Sequence, residues 1–192
     1  MAVFLRIFPI FFIACIVFSC GSSNNNTNTP NQVSDTVRYY QVSNFIKDEV
    51  REMKLTPYYI TKVTTVGELQ DTVVLDTTDI DVLSQQFIAA DISGDDIKTN
   101  YTETVFNDNS TGYTTITYVT GNQKLPVKLL TIYFDPETDK TKRIEIRKIY
   151  SQNDSTITEQ LGWRSAKGFT INRHAQKDTA SIMKLTTVSW NE

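Results

Sequence analysis

The sequence predicts an α+β fold: a curved antiparallel β-meander of about seven strands, with an N-terminal helix–hairpin–helix packed on one face. Two observations predict it. In two early segments apolar residues recur every three or four positions, which is the period of an amphipathic helix. From residue 101 onward the period changes to two, and short strand-like segments alternate with turn sequences, which is typical of an antiparallel sheet.

The first helix is predicted over residues 35–54. Its apolar face consists of Tyr39, Val42, Ile46, Val50 and Met53. These positions follow steps of three and four, so they lie on one side of a helix. Ser34 or Asp35 is expected to cap its start, and Pro57 prevents it from continuing.

A β-hairpin and a second helix follow. Residues 58–66 and 69–75 are rich in β-branched and aromatic side chains and are separated by a turn sequence, which predicts the hairpin. Residues 77–92 again have apolar positions at helical spacing. Thr78 is the expected cap of this second helix, and Gly94 is the expected left-handed stop.

The remaining chain predicts the meander. Its strands are expected at residues 101–106, 113–120, 126–134, 143–150, 156–164, 169–174 and 182–190. Arg143, Glu145 and Arg147 alternate with isoleucines, so one face of the sheet must be solvated. The other face needs a cover, and the two early helices are available for it.

An apolar run near the start of the chain is typical of a secretion signal. Arg6 supplies positive charge before it, and residues 7–18 are apolar apart from Pro9 and Cys15. The run is shorter than the roughly 20 residues that a helix needs to cross a bilayer. A cleaved signal is therefore favoured over a transmembrane anchor.

The end of this run carries a more specific pattern. In Val17-Phe18-Ser19-Cys20 an apolar and a small residue precede a cysteine, and Gly21 follows. The pattern resembles the lipobox of bacterial lipoproteins. The resemblance implies cleavage before Cys20, attachment of a diacylglyceryl group to its thiol and acylation of the new amine, which together make a stable membrane anchor. The alternative is an ordinary secretory signal with an incidental cysteine.

The resemblance also implies a location and a domain organisation. In the lipoprotein family an Asp after the cysteine marks retention in the inner membrane, so Gly21 implies the outer membrane. Residues 22–24 do not form the acidic cluster that sends some lipoproteins to the cell surface, which favours the periplasmic face. We therefore expect a signal peptide at 1–19, a lipidated Cys20 with a flexible tether at 20–34, and one globular domain at 35–192.

Composition excludes several classes of function. A formal charge of −3 gives the chain no long-range attraction for nucleic acid. The only cysteines are Cys15 and Cys20, so thiol catalysis and thiolate metal sites are excluded downstream. His174 is the single histidine, and no Gly-x-Ser-x-Gly sequence accompanies it as a serine hydrolase of that type would require.

Acidic residues do not form a recognisable catalytic or metal site in the sequence. They cluster at Asp76, Asp79 and Asp81, at Asp91, Asp95 and Asp96, and at Asp135, Glu137 and Asp139. The first two clusters lack the ligand spacing of an EF-hand, and the third is good turn chemistry. The strand residues Glu103, Glu145 and Glu159 are expected to point outward. No metal, cofactor or catalytic residue is predicted.

The sequence therefore favours a membrane-anchored envelope lipoprotein with a non-catalytic binding or assembly role. Its partner is expected to be the membrane through acylated Cys20, with an envelope protein or polysaccharide as ligand. The alternative is a lipid or lipoprotein carrier, which requires an apolar cavity between sheet and helices and is suggested by fold analogy only. An enzyme acting on envelope sugars or peptides is the third hypothesis. Six aromatic residues could line a binding groove, but they are expected to fill the core and edge of the sheet: Tyr39, Tyr40, Tyr58, Tyr59, Trp163 and Trp190.

Overall fold

The computed structural model describes residues 39–190, which form two α-helices and nine β-strands. Cys20, the lipobox and the tether lie outside the described residues, as do Ser34 and Asp35. In chain order the elements are α1 (Val42–Leu55), β1 (Ile60–Val66), β2 (Leu69–Leu75), α2 (Thr77–Ile88), β3 (Thr102–Asn107), β4 (Thr114–Val119), β5 (Val127–Phe134), β6 (Thr141–Gln152), β7 (Ser155–Arg164), β8 (Gly168–Lys177) and β9 (Ala180–Ser189). Within this part of the chain, neither helix is long and apolar enough to cross a membrane.

All nine described strands belong to one antiparallel sheet with the order β2-β1-β9-β8-β7-β6-β5-β4-β3. An α+β fold with an antiparallel sheet is confirmed, but the predicted count of about seven strands is wrong. The early hairpin does not pack on a face of the sheet with the helices. Instead β1 pairs with β9 from Thr61↔Ser189 to Val66↔Lys184, so the hairpin extends the sheet and covers the edge that β9 would otherwise expose.

The two faces of the sheet differ in what covers them. One row of register neighbours across five strands consists of Ile132, Ile144, Trp163, Phe169 and Val188, all buried. Phe87 of α2 packs edge-on against Trp163 and Phe169, with ring centroids 5.1 and 5.4 Å apart. This side is called the helix-covered face. Alternate residues point to the other side, the helix-free face, which carries Arg143, Glu145 and Arg147 as the sequence predicted.

The first helix starts later than predicted. Residues 39–41 are not helical, and α1 begins at Val42. Tyr39 leaves the helical path because its ring stacks on Tyr118, with centroids 5.2 Å apart, and its hydroxyl donates to the Tyr101 carbonyl at 3.1 Å. These long-range contacts override the local helical period at Tyr39.

A residue distant in sequence caps α1. Gln41, at the N-cap position, makes no capping bond with its side chain. The carboxylate of Asp91 makes the capping bond instead. Its Oδ2 accepts from the Ser43 N–H at 2.7 Å, and its Oδ1 accepts from the Ser93 N–H at 2.8 Å. Burial alone would raise the pKa of Asp91, but the hydrogen bonds from Ser43 and Ser93 outweigh it and the pKa is lowered.

The second helix also differs from prediction in its ends. Its N-cap is Asp76 and not Thr78: the Asp76 carboxylate accepts from the N–H groups of Thr78 and Asp79 at 2.8 and 2.9 Å. Asp79 returns a bond to the Asp76 N–H, which completes a capping box. The helix ends at Ile88, well before Gly94, whose φ is not positive and which is therefore not a left-handed stop.

The space between the helices and the sheet is filled by aromatic side chains. Trp163 stacks on Phe169 with ring centroids 4.9 Å apart, and Trp190 packs edge-on against Trp163 at 5.7 Å. Trp163 and Trp190 are buried, as predicted, whereas Tyr59 is 73% exposed and does not join the core. A depression between α2 and the sheet, beside Leu83, measures only about 150 Å³. This packing gives no support to the carrier alternative.

Candidate functional site

The structure disperses most residues that the sequence singled out. His174 lies on β8 opposite Thr158 and Met183, and within the described chain its ring makes no hydrogen bond. No group of three or more His, Cys, Asp or Glu residues among 39–190 is arranged to hold a metal ion. Asp81 pairs with Lys54 at 2.6 Å, and Asp135 accepts hydrogen bonds from backbone N–H groups of its own turn. Both carboxylates therefore have structural roles.

Glu159 corrects the expectation that the strand glutamates point outward. It lies on the helix-covered face and is buried. Its carboxylate accepts from Lys148 Nζ and from the Tyr150 hydroxyl, both at 2.9 Å, and Arg173 Nη1 lies 3.5 Å away. Burial and the bond to Glu159 raise the pKa of Tyr150. These partners satisfy the buried charge, so Glu159 belongs to a structural ion cluster.

The helix-free face contains a broad depression of about 470 Å³ that is lined by both polar and apolar groups, here called the central depression. Nine of its twelve lining residues come from two neighbouring rows of the sheet, which are fixed by the strand register, and Arg143, Ile146 and Leu161 complete the lining. One row holds Glu145, Gly162, Thr170 and Thr187, and the next holds Leu129, Arg147, Gln160, Asn172 and Leu185. The site therefore exists only when β5 to β9 are paired.

Gly162 forms the floor of the central depression. It lies in the middle of β7 between Glu145 of β6 and Thr170 of β8. Its φ is not positive, so its backbone conformation does not require glycine. A Cβ placed here would lie 3.0 Å from Thr170 Oγ1, an atom that can rotate away. Glycine is thus used here for the space it leaves open.

Polar groups in the central depression are available to a ligand. Within the described residues, the side chains of Gln160, Thr170 and Thr187 make no hydrogen bond. The amide oxygen of Asn172 is buried and has no partner in this part of the chain. An unpaired buried acceptor costs about 1–3 kcal/mol, and a ligand donor would reach this oxygen only after the Asn172 side chain turned toward the depression.

A second depression of about 400 Å³ continues from the first toward the end of the sheet that carries the turn between β7 and β8. We call it the cationic pocket. Its lining is Tyr113, Tyr133, Lys142, Arg143, Arg164, Ser165 and Lys167. Arg143 lines both depressions, so a ligand can occupy them together.

A β-bulge brings two cations to the same side of this pocket. Tyr133 pairs with Arg143, but the next residue, Phe134, pairs with Thr141, which leaves Lys142 as an extra residue in β6. An extra residue interrupts the alternation of side chains, so neighbouring positions can face the same way. Lys142 and Arg143 therefore both reach the pocket although they are adjacent in sequence.

Hydrogen bonds and aromatic rings hold these two cations in place. Lys142 Nζ donates to the Tyr113 hydroxyl at 2.6 Å, and this bond raises the pKa of Lys142. The Arg143 guanidinium lies over the Tyr133 ring, 5.6 Å from its centroid, and donates to Glu145. Burial, reinforced by a 3.0 Å bond to Glu145, raises the pKa of Tyr133, so its hydroxyl stays protonated at neutral pH.

Arg164 and Lys167 are the other two cations of the pocket. They flank the turn between β7 and β8, which a side chain of α1 holds in place. Glu49 of α1 accepts from Ser165 Oγ at 2.7 Å and from the Ala166 N–H at 2.8 Å. Arg164 and Lys167 lie on either side of this pair. Neither forms an ion pair within residues 39–190, so both charges are available to an anion.

Little in the sequence indicates this site. Alternation predicts that Arg143 and Arg147 lie on a solvated face, but no local pattern singles out Arg164, Lys167 or the polar rows. A glycine inside a strand pattern, here Gly162, is the signal that could have located the central depression. Comparisons of the chain with protein-family models, with curated proteins and with solved structures gave no match.

Proposed function

We propose that this chain is a lipid-anchored protein of the bacterial cell envelope whose folded domain is a non-catalytic binding module. The lipobox resemblance of Val17-Phe18-Ser19-Cys20 supports the anchor. The polar segment after it would tether the domain with an r.m.s. span of roughly 20 Å. Gly21 supports the outer membrane, and the residues after it favour its periplasmic face.

The ligand of this module is a polysaccharide strand that lies on the helix-free face. The central depression is the observation that carries this proposal. It presents hydroxyl, amide and guanidinium groups on strands that are about 4.8 Å apart, which suits an extended chain rich in hydroxyls. The two rows that form most of it contribute two aliphatic side chains, Leu129 and Leu185, at its two sides. A protein partner would need a larger apolar centre.

The acid content of the depression supports binding over hydrolysis. A glycoside hydrolase needs two carboxyl groups roughly 5–10 Å apart on either side of the bond. The described lining of the two depressions contains one, Glu145, and it is already bonded to Arg143 and Tyr133. Glu145 thus serves to position these two residues.

Affinity electrophoresis of the full chain in non-ionic detergent tests the binding role. Gels containing dextran, galactomannan, polygalacturonate or alginate would show retardation by at least one polymer. Gly162→Trp fills the floor of the central depression and should weaken that binding at least about tenfold. Thr72→Trp is the control, because Thr72 lies in the same row of the sheet on the edge strand β2. The proposal is contradicted if the wild type, Gly162→Trp and Thr72→Trp bind the polymer with equal affinity, or if no polymer retards the wild type.

The anchor is tested separately in cells. Cys20→Ala should abolish labelling by radioactive palmitate and release the protein from membranes, because no other residue of the lipobox carries a thiol. Ser19→Ala keeps a small residue before the cysteine and should still be labelled. Unchanged membrane attachment of Cys20→Ala contradicts the lipid anchor.

A further inference from the structure

We infer that the cationic pocket binds carboxylate groups, so that the polysaccharide bound on the helix-free face is an acidic, uronic-acid type of polymer. The inference rests on the proposed function, because the pocket extends the same surface through Arg143. It adds the chemical class of the ligand and a subsite that recognises it.

Charge is the first argument. The pocket gathers Lys142, Arg143, Arg164 and Lys167, whereas the carboxylates that contact these cations are Asp135 and Glu145. The chain as a whole has a formal charge of −3, so this surface has the opposite sign to the molecule. A local excess of cations in a concave site attracts an anion, repels a cation and gives a neutral competitor no electrostatic attraction.

The identity of the cations is the second argument. Arginine presents a planar fork of N–H donors that matches a carboxylate in two parallel hydrogen bonds, and Arg164 has no carboxylate partner in the described chain. Lys167 adds a mobile point charge beside it. Because Glu49 holds the turn between them, little further ordering is needed when the anion binds.

The surroundings favour a polysaccharide over a lipid headgroup. The cationic pocket opens toward Thr170, Gln160 and Asn172 of the central depression, whose polar groups would face a sugar chain and not acyl tails. The exposed apolar pair Ile182 and Met183 lies near the β8–β9 turn, at the opposite end of β8 from the pocket. A lipid acyl chain would need aliphatic side chains beside the cations, whereas the uncharged lining of the cationic pocket is Tyr113, Tyr133 and Ser165.

The test measures binding of the full chain in non-ionic micelles to polygalacturonate and to the same polymer after its carboxyl groups have been reduced to alcohols. The double variant Arg164→Gln, Lys167→Gln removes the two unpaired charges. The control Lys124→Gln, Lys177→Gln removes the same charge from exposed positions at the other end of the strands. Circular dichroism melting curves verify that both variants fold.

The expected result is tight binding of polygalacturonate, at least about tenfold weaker binding of the reduced polymer, and a similar loss for Arg164→Gln, Lys167→Gln. The control variant should change affinity less than about twofold, and rising salt should weaken the wild-type complex.

Three results would overturn the inference. Equal losses for the two double variants would mean that overall charge, and not the pocket, attracts the polymer. Equal affinity for the native and reduced polymers would remove the carboxylate subsite but leave the polysaccharide-binding function intact. Binding to mixed micelles that contain phosphatidylglycerol, with none to polygalacturonate, would identify a lipid headgroup as the ligand. Loss of all polymer binding, including that in the electrophoresis test, would remove the proposed function itself.

Discussion

The Glu49 carboxylate in α1 accepts a hydrogen bond from the backbone N–H of Ala166, in the turn between β7 and β8, at 2.8 Å. The same carboxylate accepts from Ser165 Oγ at 2.7 Å and from Trp163 Nε1 at 3.3 Å. One side chain of the helix layer thus holds a turn, a core tryptophan and, through them, the part of the cationic pocket that carries its two unpaired charges.

Glu49 is half-buried, and removal of its carboxylate should destabilise the protein. Glu49→Ala leaves three donors without their acceptor, and we expect the free energy of unfolding in urea to fall by about 2–4 kcal/mol. Glu49→Gln keeps one acceptor oxygen and should lose about half as much. Glu52→Ala is the matched control on the same helix. The Glu52 side chain is 69% exposed and pairs, within residues 39–190, with Arg51 alone, so its loss should change stability by less than about 0.5 kcal/mol. Equal effects at Glu49 and Glu52 would show that the three bonds contribute nothing.

The cap of α1 by Asp91 predicts a pH dependence. Its pKa is lowered in the folded protein, below the unfolded value of about 3.9. The stabilisation is therefore fully present above that unfolded pKa and is lost as the pH falls through the folded pKa. Asp91→Asn should lower the free energy of unfolding by about 1 kcal/mol at pH 7, and the difference from wild type should shrink below about pH 4.

Urea unfolding at pH 7, 5 and 3.5 measures the Asp91 effect. Asp96→Asn is the control, since Asp96 is exposed in the same loop and makes no hydrogen bond within the described residues. It should change the free energy of unfolding by less than about 0.5 kcal/mol at each pH. A difference between Asp91→Asn and wild type that stays constant down to pH 3.5 would refute the titration of this cap.

Local patterns predicted the elements of this fold but not how distant elements meet. The helical period correctly placed Val42, Ile46 and Val50 on the buried face of α1. It could not place the helix start, which depends on Asp91, because a capping residue remote in sequence leaves no local signal. The pairing of β1 with β9 is likewise a contact between chain ends that alternation does not encode.

Glu159 lies on the face that the alternation of its own strand predicts. Alternation puts Glu159 on the same face as Ile157, Leu161 and Trp163, all of which are buried. Its charge argued for an outward position, and its compensating partner Lys148 lies on a different strand. The candidate site likewise could not be predicted from local patterns, because its lining residues become neighbours only through the register of five strands.

The Glu159 cluster predicts strong coupling between two substitutions. Lys148→Met leaves the buried carboxylate without its closest cation and should lower the free energy of unfolding by about 3 kcal/mol or more. In the double variant Lys148→Met, Glu159→Leu the charge is removed together with its partner, so the protein should be more stable than Lys148→Met alone. Urea unfolding of the wild type, both single variants and the double variant gives the coupling energy. Additive losses would mean that the pair does not interact.

Gly168 closes the same turn that Glu49 holds, and its substitution separates steric collision from backbone strain. Its φ is +146°, and a Cβ would lie 2.1 Å from the Val188 carbonyl oxygen, in backbone that cannot yield without breaking the β8–β9 pairing. We expect Gly168→Ala to destabilise the protein by more than about 3 kcal/mol in thermal or urea unfolding.

Gly67 has a φ of +58° with open space around its Cβ position, so Gly67→Ala should cost only about 1–2 kcal/mol of strain. Gly121, with neither feature, should tolerate alanine within about 0.5 kcal/mol. If Gly168→Ala and Gly67→Ala proved equally destabilising, close packing of β9 against this turn would contribute nothing beyond the cost of a positive φ.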